Sequence, residues 1–294
     1  MIRPKRIKKI ISSLIILAVL AALAYIMPEP ETPVQASGQV VFVDVGQGDC
    51  TFVQTPNGTT LLIDGGEYDA FETELRPFLK SRGIDRVDFA LASHYHSDHM
   101  GGIYELLEAG MADNLIIPEY EPQNSAKKKL LRVSQSTGTR VTQVSADDKV
   151  QIGDIGVDIT VLHPEKGGFS KENENSNSMV LMLSYLGTEF LFTGDAEADA
   201  EASVLKKYNL EADVLKVGHH GSSSSTSKKF IEAVNPTYAV IECGEENSYG
   251  HPHYEILDIL EGNDVRVYRT DADGDISFFI DESGIKQIKI EKSY

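Results

Sequence analysis

From Gln39 onward the chain alternates short apolar runs with amphipathic stretches, the pattern of strands exchanging with helices. Val40–Val45 and Thr51–Gln54 read as strands, and Pro56-Asn57-Gly58 forms a hairpin turn that leads into a third, Thr60–Ile63. Phe71, Leu75, Phe78 and Leu79 recur at i, i+4, i+7 and i+8, which predicts an amphipathic helix over Glu72–Ser81 stopped by Gly83. Val87–Ser93 is a mostly apolar strand that delivers the chain to His94. The second half repeats this plan. Phe190–Thr193 ends in Gly194-Asp195 as Leu61–Ile63 ends in Asp64-Gly65-Gly66, a helix follows over Ala198–Tyr208, and the strand Val214–Val217 delivers His219 and His220. Asp64 to His94 is 30 residues and Asp195 to His219 is 24, so the units are of comparable size. Two strand–Asp–helix–strand–His units facing each other predict an α/β fold of two facing sheets flanked by helices. Residues 39–294 then make one domain, because one site draws on both halves.

The segments between and after the units read less sharply. Glu119–Thr137 has helical character, Lys166–Ser178 is a polar loop, and Lys228–Ala233 is a short helix before the strand Tyr238–Glu242. Arg266–Thr270, Ile276–Ile280 and Ile285–Ile290 look like closing strands of a sheet.

Ahead of the domain the pattern changes. A basic segment, Arg3 to Lys9, precedes an apolar run of 18 residues, Ile10 to Met27, broken only by Ser12 and Ser13. Residues 1–27 are expected to act as a single transmembrane anchor or a signal peptide, and residues 28–38 as a Pro/Glu-rich linker. Val34-Gln35-Ala36 resembles a small-residue cleavage site, so cleavage and anchoring both stay open. The leading bases put the start in the cytoplasm, and hence the domain on the extracellular face of the membrane or in the medium.

Composition narrows the function classes. The 294 residues are 41% hydrophobic, enough for one sizeable core and too few for a multi-pass membrane protein. Net charge is −18; without residues 1–36 there remain 22 bases against 43 acids, a balance of −21. Such an excess argues against a protein that grips nucleic acid with a broad basic face. Cys50 and Cys243 read as two buried free thiols, with a disulfide as the alternative.

The strongest chemical signal is His94-Tyr95-His96-Ser97-Asp98-His99, three imidazoles and a carboxylate straight after an apolar strand. His94 and His96, two apart, can converge on one ion while Asp98 and His99 turn to a second; Asp98 can also take part in catalysis. Imidazole with carboxylate suits two divalent transition ions, zinc first, with manganese or iron as alternatives. Asp195, at a strand end in the other half, is placed to bridge them. Of His219 and His220, the second is the expected ligand and the first meets the substrate or its leaving oxygen. Ser222 and Ser225, in the serine run ahead of Lys228, are candidates to bind a substrate anion, with a helix cap as the equal alternative. His251, in Tyr249-Gly250-His251-Pro252-His253, is a candidate at the catalytic rim. His163, before Pro164, is either a third ligand for the first metal or an ordinary strand-end histidine. Asp64 and Asp44 are expected behind the ligands. Asp271–Asp275 resembles half a calcium loop, but Ile276 stands where a glycine is needed, so a hairpin turn is the better reading. Lys127-Lys128-Lys129 reads as a solvated helix face.

In order along the chain, Asp44-Val45-Gly46-Gln47-Gly48-Asp49, Leu62-Ile63-Asp64-Gly65-Gly66, the His94–His99 motif, Phe192-Thr193-Gly194-Asp195, Gly218-His219-His220-Gly221-Ser222 and Tyr249–His253 resemble the metallo-β-lactamase superfamily. The resemblance is to its branch at the carboxyl end of the ComEC competence proteins and runs from about Val40 to Ile280. It implies an αββα sandwich, two metals and a nuclease role at the cell surface. The chain departs from the pattern in two places. One apolar segment stands where large ComEC proteins carry a many-spanning channel, so a role in DNA uptake does not transfer. No histidine lies in Asn173–Ser178, where most of the superfamily has a ligand; this is itself ComEC-like.

The leading expectation is therefore an exported metallo-hydrolase in which a metal-bound hydroxide attacks a phosphodiester, with DNA as one candidate substrate. A lactamase, a lactonase or a phosphorylcholine esterase is the enzymatic alternative. A surface binding module with a vestigial site is the non-enzymatic one. The cytoplasmic membrane is the other expected partner, and nothing in the sequence identifies a protein partner.

Overall fold

A computed structural model of the chain describes residues 38–153 and 156–292. The apolar run Ile10–Met27 and residues 28–37 of the expected linker lie outside them, Gly38 already belonging to the first strand, and among the described residues no helix is long and apolar enough to cross a membrane. In chain order the first half contains β1 (Gly38–Phe42), β2 (Thr51–Gln54), β3 (Thr60–Ile63), α1 (Arg76–Ser81), β4 (Val87–Leu91), α2 (Ser97–Glu108), β5 (Ala112–Pro118), α3 (Ala126–Thr137) and β6 (Arg140–Val144). The second contains β7 (Lys149–Val150), β8 (Val157–His163), β9 (Val180–Tyr185), β10 (Thr188–Phe192), α4 (Ala198–Val204), β11 (Val214–Lys216), α5 (Lys228–Val234), β12 (Tyr238–Ile241), α6 (Tyr254–Glu261) and β13 (Arg266–Arg269). A hairpin of β14 (Asp275–Asp281) and β15 (Gly284–Glu291) closes the chain.

The strands form two sheets, ordered β15-β14-β1-β2-β3-β4-β5-β6 and β13-β12-β11-β10-β9-β8-β7. Each sheet is antiparallel on one side and parallel on the other: β3 to β6 run parallel, and so do β10 to β13. The internal repeat is thus a repeat of topology, three successive βαβ units in each half. In these units the apolar runs are buried on both faces, which is why they read as continuous rather than alternating. Alternate residues still separate the layers. Val40, Phe42, Leu61 and Ile63 meet Phe190 and Phe192 between the sheets, while Val41 and Leu62 face the helices of the first half and Leu191 those of the second. The Phe42 ring bridges the sheets, 6.0 Å from Phe192 and 5.8 Å from Phe278.

Several expectations shift. The helix expected from Glu119 starts at Ala126, because Ala112–Pro118 is spent on β5 and residues 119–125 form a loop. Phe71–Leu75 is a π-helical turn ahead of α1, rather than part of one α-helix. Asp271–Asp275 is no hairpin turn: β13 and β14 lie in different sheets, and a short helix, Thr270–Asp273, carries the chain across. Lys127 is not solvated; its Nζ is buried, donating to Tyr120 O (2.6 Å) and Glu121 Oε1 (2.8 Å). Cys50 and Cys243 are both buried free thiols.

Parallel strands put their carboxyl ends on one side, where crevices form in α/β sheets. β3 and β12 end just before Asp64 and Glu242, β10 three residues before Asp195, and β4 and β11 three residues before His94 and His219. The turn after β3 is clamped to α2: Gly65 N donates to His99 O (2.8 Å) and Gly102 N to Gly66 O (2.9 Å). The approach is so close that a Cβ on Gly102 would lie 2.0 Å from Gly65 O. Gly102→Ala is therefore expected to destabilise the metal-free domain by about 1–3 kcal/mol through overpacking. Urea denaturation checks this, and an unchanged midpoint would show that the contact has slack.

Candidate metal centre

His94, His99 and His220 are buried, and each has its Nδ1 edge held by the chain. His99 Nδ1 lies 2.9 Å from Asp64 Oδ2, and His220 Nδ1 donates to Glu242 O (2.9 Å). Ser93 Oγ donates to Asp64 Oδ2 (2.6 Å), which leaves the same oxygen to accept from His94 Nδ1 (3.1 Å). With the protons on Nδ1, all three rings turn Nε2 lone pairs inward, the arrangement metal-binding imidazoles need. His94 Nε2, His99 Nε2 and Asp195 Oδ1 have no hydrogen-bond partner despite their burial. Buried polar atoms are seldom left so, and here they converge.

The convergence makes two donor groups that share Asp195. Asp98, His99, Asp195 and His220 form one, and His94, His96 and Asp195 the other, with the donor atoms of each group within 4.8 Å of one another. Asp195 Oδ1 is 3.1 Å from His99 Nε2 and 3.6 Å from His220 Nε2, while its Oδ2 faces His94 Nε2 at 3.8 Å. One carboxylate thus reaches both groups, as a bridging ligand must. The donor set fits two divalent transition ions.

Electrostatics point the same way. Asp49, Asp64, Asp98, Asp195 and Glu242 are packed around the three imidazoles, with the Lys216 ammonium among them. Five carboxylates against one ammonium leave a deficit of four charges, which two divalent ions neutralise while the imidazoles stay neutral. Without metal the deficit draws in protons. Burial lowers the His220 pKa, but Asp195 and Asp49 outweigh it and raise it to about 10. Burial likewise opposes protonation of His99, and the carboxylates of Asp195, Asp49, Asp98 and Asp64 drive it well above the usual imidazole range. Burial and then Asp49 push the Glu242 carboxyl up to about 8.

Asp49, Lys216 and Glu242 were not among the residues expected from the sequence. Asp49 Oδ2 pairs with Lys216 Nζ, and its Oδ1 lies 3.2 Å from His220 Nδ1. Lys216 Nζ also donates to Gly194 O (3.1 Å), beside the shared Asp195. Glu242 Oε1 accepts from Cys50 N (2.9 Å). The readable signal was a charged residue closing an apolar run, as in Val214-Leu215-Lys216 and Val240-Ile241-Glu242. Asp44, by contrast, stands outside the ligand groups; its Oδ1 accepts from Gly46 N and its own N–H donates to Asp275. It shapes the turn in which Gly48, at φ +136°, lets Asp49 N donate to Asp98 O (3.1 Å).

The remaining expected residues divide by where the fold puts them. His220 joins a donor group and His219 joins none: its Nδ1 faces Ser224 Oγ (3.0 Å) and its Nε2 faces the Asn175 amide (3.3 Å). A cleft of about 320 Å³ over the donors is lined by His96, Asp98, His219 and His251 among others. His96 also lines a polar groove of about 820 Å³ between residues 119–127 and 166–177. His163 is not brought in; its Nε2 donates to Ser176 O (2.8 Å) and its ring packs on Phe169, so it is a strand-end histidine spent on the fold. Ser222 and Ser225 are buried away from the cleft lining, and Ser225 Oγ donates to Gly218 O (2.8 Å). The amide groups ahead of α5 are used by the chain itself, Thr226 N and Ser227 N by Glu201 and Phe230 N by Ser227 Oγ. Ser227 is the helix cap, and the Ser222 and Ser225 hydroxyls are held within the loop itself.

A fold of two βαβ sheets with an Asp- and His-lined crevice between their strand ends defines a class of metallo-hydrolase. The chain belongs to the metallo-β-lactamase superfamily, whose family model matches residues 43–244. It is similar to ComE operon protein 3 of Bacillus subtilis (strain 168), with 34% identity over 83% of this chain and 33% of the relative. It is also similar to competence protein ComA of Neisseria gonorrhoeae, with 32% identity over 94% of this chain and 38% of the relative. The chain thus spans about a third of these relatives' length. Among solved structures, the metallo-β-lactamase fold protein YhfI of Bacillus subtilis aligns with a TM-score of 0.53 at 15% identity, covering 79% of this chain and 96% of that one. Unliganded yeast PDE1 aligns at 0.52 with 9% identity, covering 79% and 97%. At such identities the likeness is one of fold.

Metal uptake should occur in two steps, because one group offers four donors and the other three. It should release protons near neutral pH, since His99 and His220 are protonated in the metal-free site and must bind as neutral rings. The sign follows: affinity rises with pH as His99 and His220 give up their protons, that of His220 leaving around pH 10. Titration calorimetry in buffers of different ionisation enthalpy counts the protons, and uptake without proton release contradicts the charge balance. Lys216→Met, which leaves Asp49 buried without its ammonium, should cost the metal-free protein about 3–5 kcal/mol, with part of the loss recovered when divalent metal is supplied. Equal urea midpoints for variant and parent would remove Lys216 from this role.

Proposed function

We propose that the protein is an exported, two-metal phosphodiesterase acting on nucleic acid. The observation that carries the chemistry is the shared Asp195 carboxylate between two donor groups, at the floor of an open cleft. Bound there, two divalent ions supply Lewis acidity and a nucleophile at neutral pH, the chemistry of phosphoryl-oxygen displacement. The similarity to proteins named for competence supports a nucleic-acid substrate.

The chain's own residues orient the substrate. Burial, then the neighbouring His220 and His219, hold the His251 pKa down to about 4, and burial lowers His219. Both rings are therefore neutral at pH 7. A neutral imidazole on the cleft wall can offer one N–H to a phosphate oxygen; both ring nitrogens of His219 are taken by Ser224 and Asn175, so His251 is the ring placed to offer it. Contact with the nucleic-acid backbone is confined to the cleft, because the charge of −21 after residue 36 repels a long polyanion. Single strands or ends are favoured over duplex, and salt dependence is shallow, since few phosphates are neutralised.

The location rests on residues 1–27. Arg3 to Lys9 precede the apolar run, so the segment holds its start in the cytoplasm and sends residues 39–294 outside, anchored or released.

Metal-loaded residues 37–294 should cleave bis-nitrophenyl phosphate and single-stranded DNA, and turn over a chromogenic lactam poorly. Asp195→Ala should lose metal and activity together, by about a hundredfold or more in kcat for a group that holds both ions. Ready lactam hydrolysis with every phosphodiester untouched would falsify the assignment. For location, a reporter active only outside the cytoplasm should work when fused after Tyr294; one that works only inside overturns export.

A further inference from the structure

At the mouth of the metal cleft stands a residue that neither the donor groups nor the hydrolytic chemistry uses. Tyr249 is 65% exposed, where most large apolar side chains among the described residues are buried, and it lines the cleft with His219, His220 and His251. Its ring lies nearly parallel to that of His251, 16° between planes and 5.6 Å between centroids. His251 in turn stands 6.2 Å from the ring of His220 and 5.7 Å from that of His219. A ladder of π faces therefore runs from a metal-group imidazole to solvent in two ring-to-ring steps. Tyr249 is its outermost rung, with its outer face open.

The ladder is held in place. The side-chain amide of Asn247 brackets His251, with Nδ2 donating to His251 O (2.7 Å) and Oδ1 accepting from His251 N (3.0 Å). A second bond from Asn247 Nδ2, to Gly244 O (2.9 Å), ties the loop to the end of β12. On the other side the His253 ring packs edge-on against His251 at 4.9 Å, and His253 Nδ1 accepts from Ser223 N (2.9 Å). The His251 ring on which Tyr249 rests is thus held before any ligand arrives, which lowers the ordering cost of binding.

We propose that Tyr249 is a stacking platform for a nucleobase next to the scissile phosphate. This rests on the phosphodiesterase reading and narrows its substrate to phosphodiesters that carry a planar aromatic base. The charge of the domain makes the role necessary. An acidic surface gains little from phosphates, so affinity must come from a contact indifferent to charge. Base-on-aromatic stacking is one, and it tolerates every base because each has a π face. The platform also favours unpaired strands, whose bases are free to leave their neighbours, over duplex.

The test compares two ligands that differ only in the base: a thymidine dinucleotide with methylene replacing the scissile oxygen, and its abasic counterpart. Binding of each to the metal-loaded wild type, Tyr249→Phe and Tyr249→Ala is measured by calorimetry, with metal content checked in all three. Wild type and Tyr249→Phe should favour the base-bearing analogue by about five- to hundredfold, and Tyr249→Ala should bind both alike. The same ratio should appear in KM, rather than kcat, when oligothymidylate is compared with an abasic strand. Equal binding of the two analogues by wild type, or an undiminished preference in Tyr249→Ala, overturns the proposal. Loss of the preference in Tyr249→Phe also overturns it, by assigning the effect to the hydroxyl. If wild type cleaves neither strand, the phosphodiesterase reading fails while the analogue pair still decides the stacking.

Discussion

Five carboxylates packed around three buried imidazoles set the terms for the whole structure. Brought together without compensation, such a cluster costs more than a domain of this size can supply, since net stabilities are about 5–15 kcal/mol. The protein meets the cost in two ways. Lys216 supplies one permanent charge, placed against Asp49 and the Gly194 carbonyl, where it ties the first half to the second. The rest is left to protons on His99, His220 and Glu242 or, when bound, to divalent ions. Metal affinity, pH response and fold stability are thereby linked through one cluster.

The cluster can exist because the scaffold is rigid where it matters. The donors lie in the turns that follow the carboxyl ends of buried parallel strands or, for Asp98 and His99, in the first turn of α2, so small displacements are resisted by close packing. The Asp64 turn shows how tight this is: it carries the carboxylate that orients His99 while lying against the bare backbone of Gly102. The same carboxylate reaches His94 through Ser93, so one residue outside both groups that share Asp195 supports two ligands from different elements. Such support from behind fixes which ring nitrogen is free, and with it what the imidazole can bind.

The site also shows a division between its floor and its rim. The floor is charged, and His94, His99, Asp195 and His220 in it are buried. The rim is made of neutral imidazoles, an exposed tyrosine and a polar groove beside His96. Chemistry common to a whole superfamily belongs to the floor, and selection among substrates belongs to the rim.

Much of this was legible in the chain. The two-sheet architecture followed from apolar runs that end in Asp and His at matched spacing, because a strand buried on both faces has little choice of composition. His94, His96, Asp98, His99 and Asp195 were marked by residue types too costly to gather without use. What tertiary structure alone decided was which polar groups face one another. His163 and Ser225 had plausible neighbours in sequence, yet their polar atoms are taken by Ser176 O and Gly218 O. Lys127 looked solvated and is buried. His219 and His220 are adjacent and of one type, and only the backbone path past β11 sends one to the donors and the other to the rim. Asp49, Lys216 and Glu242 come from three strand ends far apart in the chain, so their mutual neutralisation has no local signature. A hydrophobic pattern is written residue by residue, and a sequence displays it; a hydrogen bond or an ion pair belongs to two residues, and only the fold says which two.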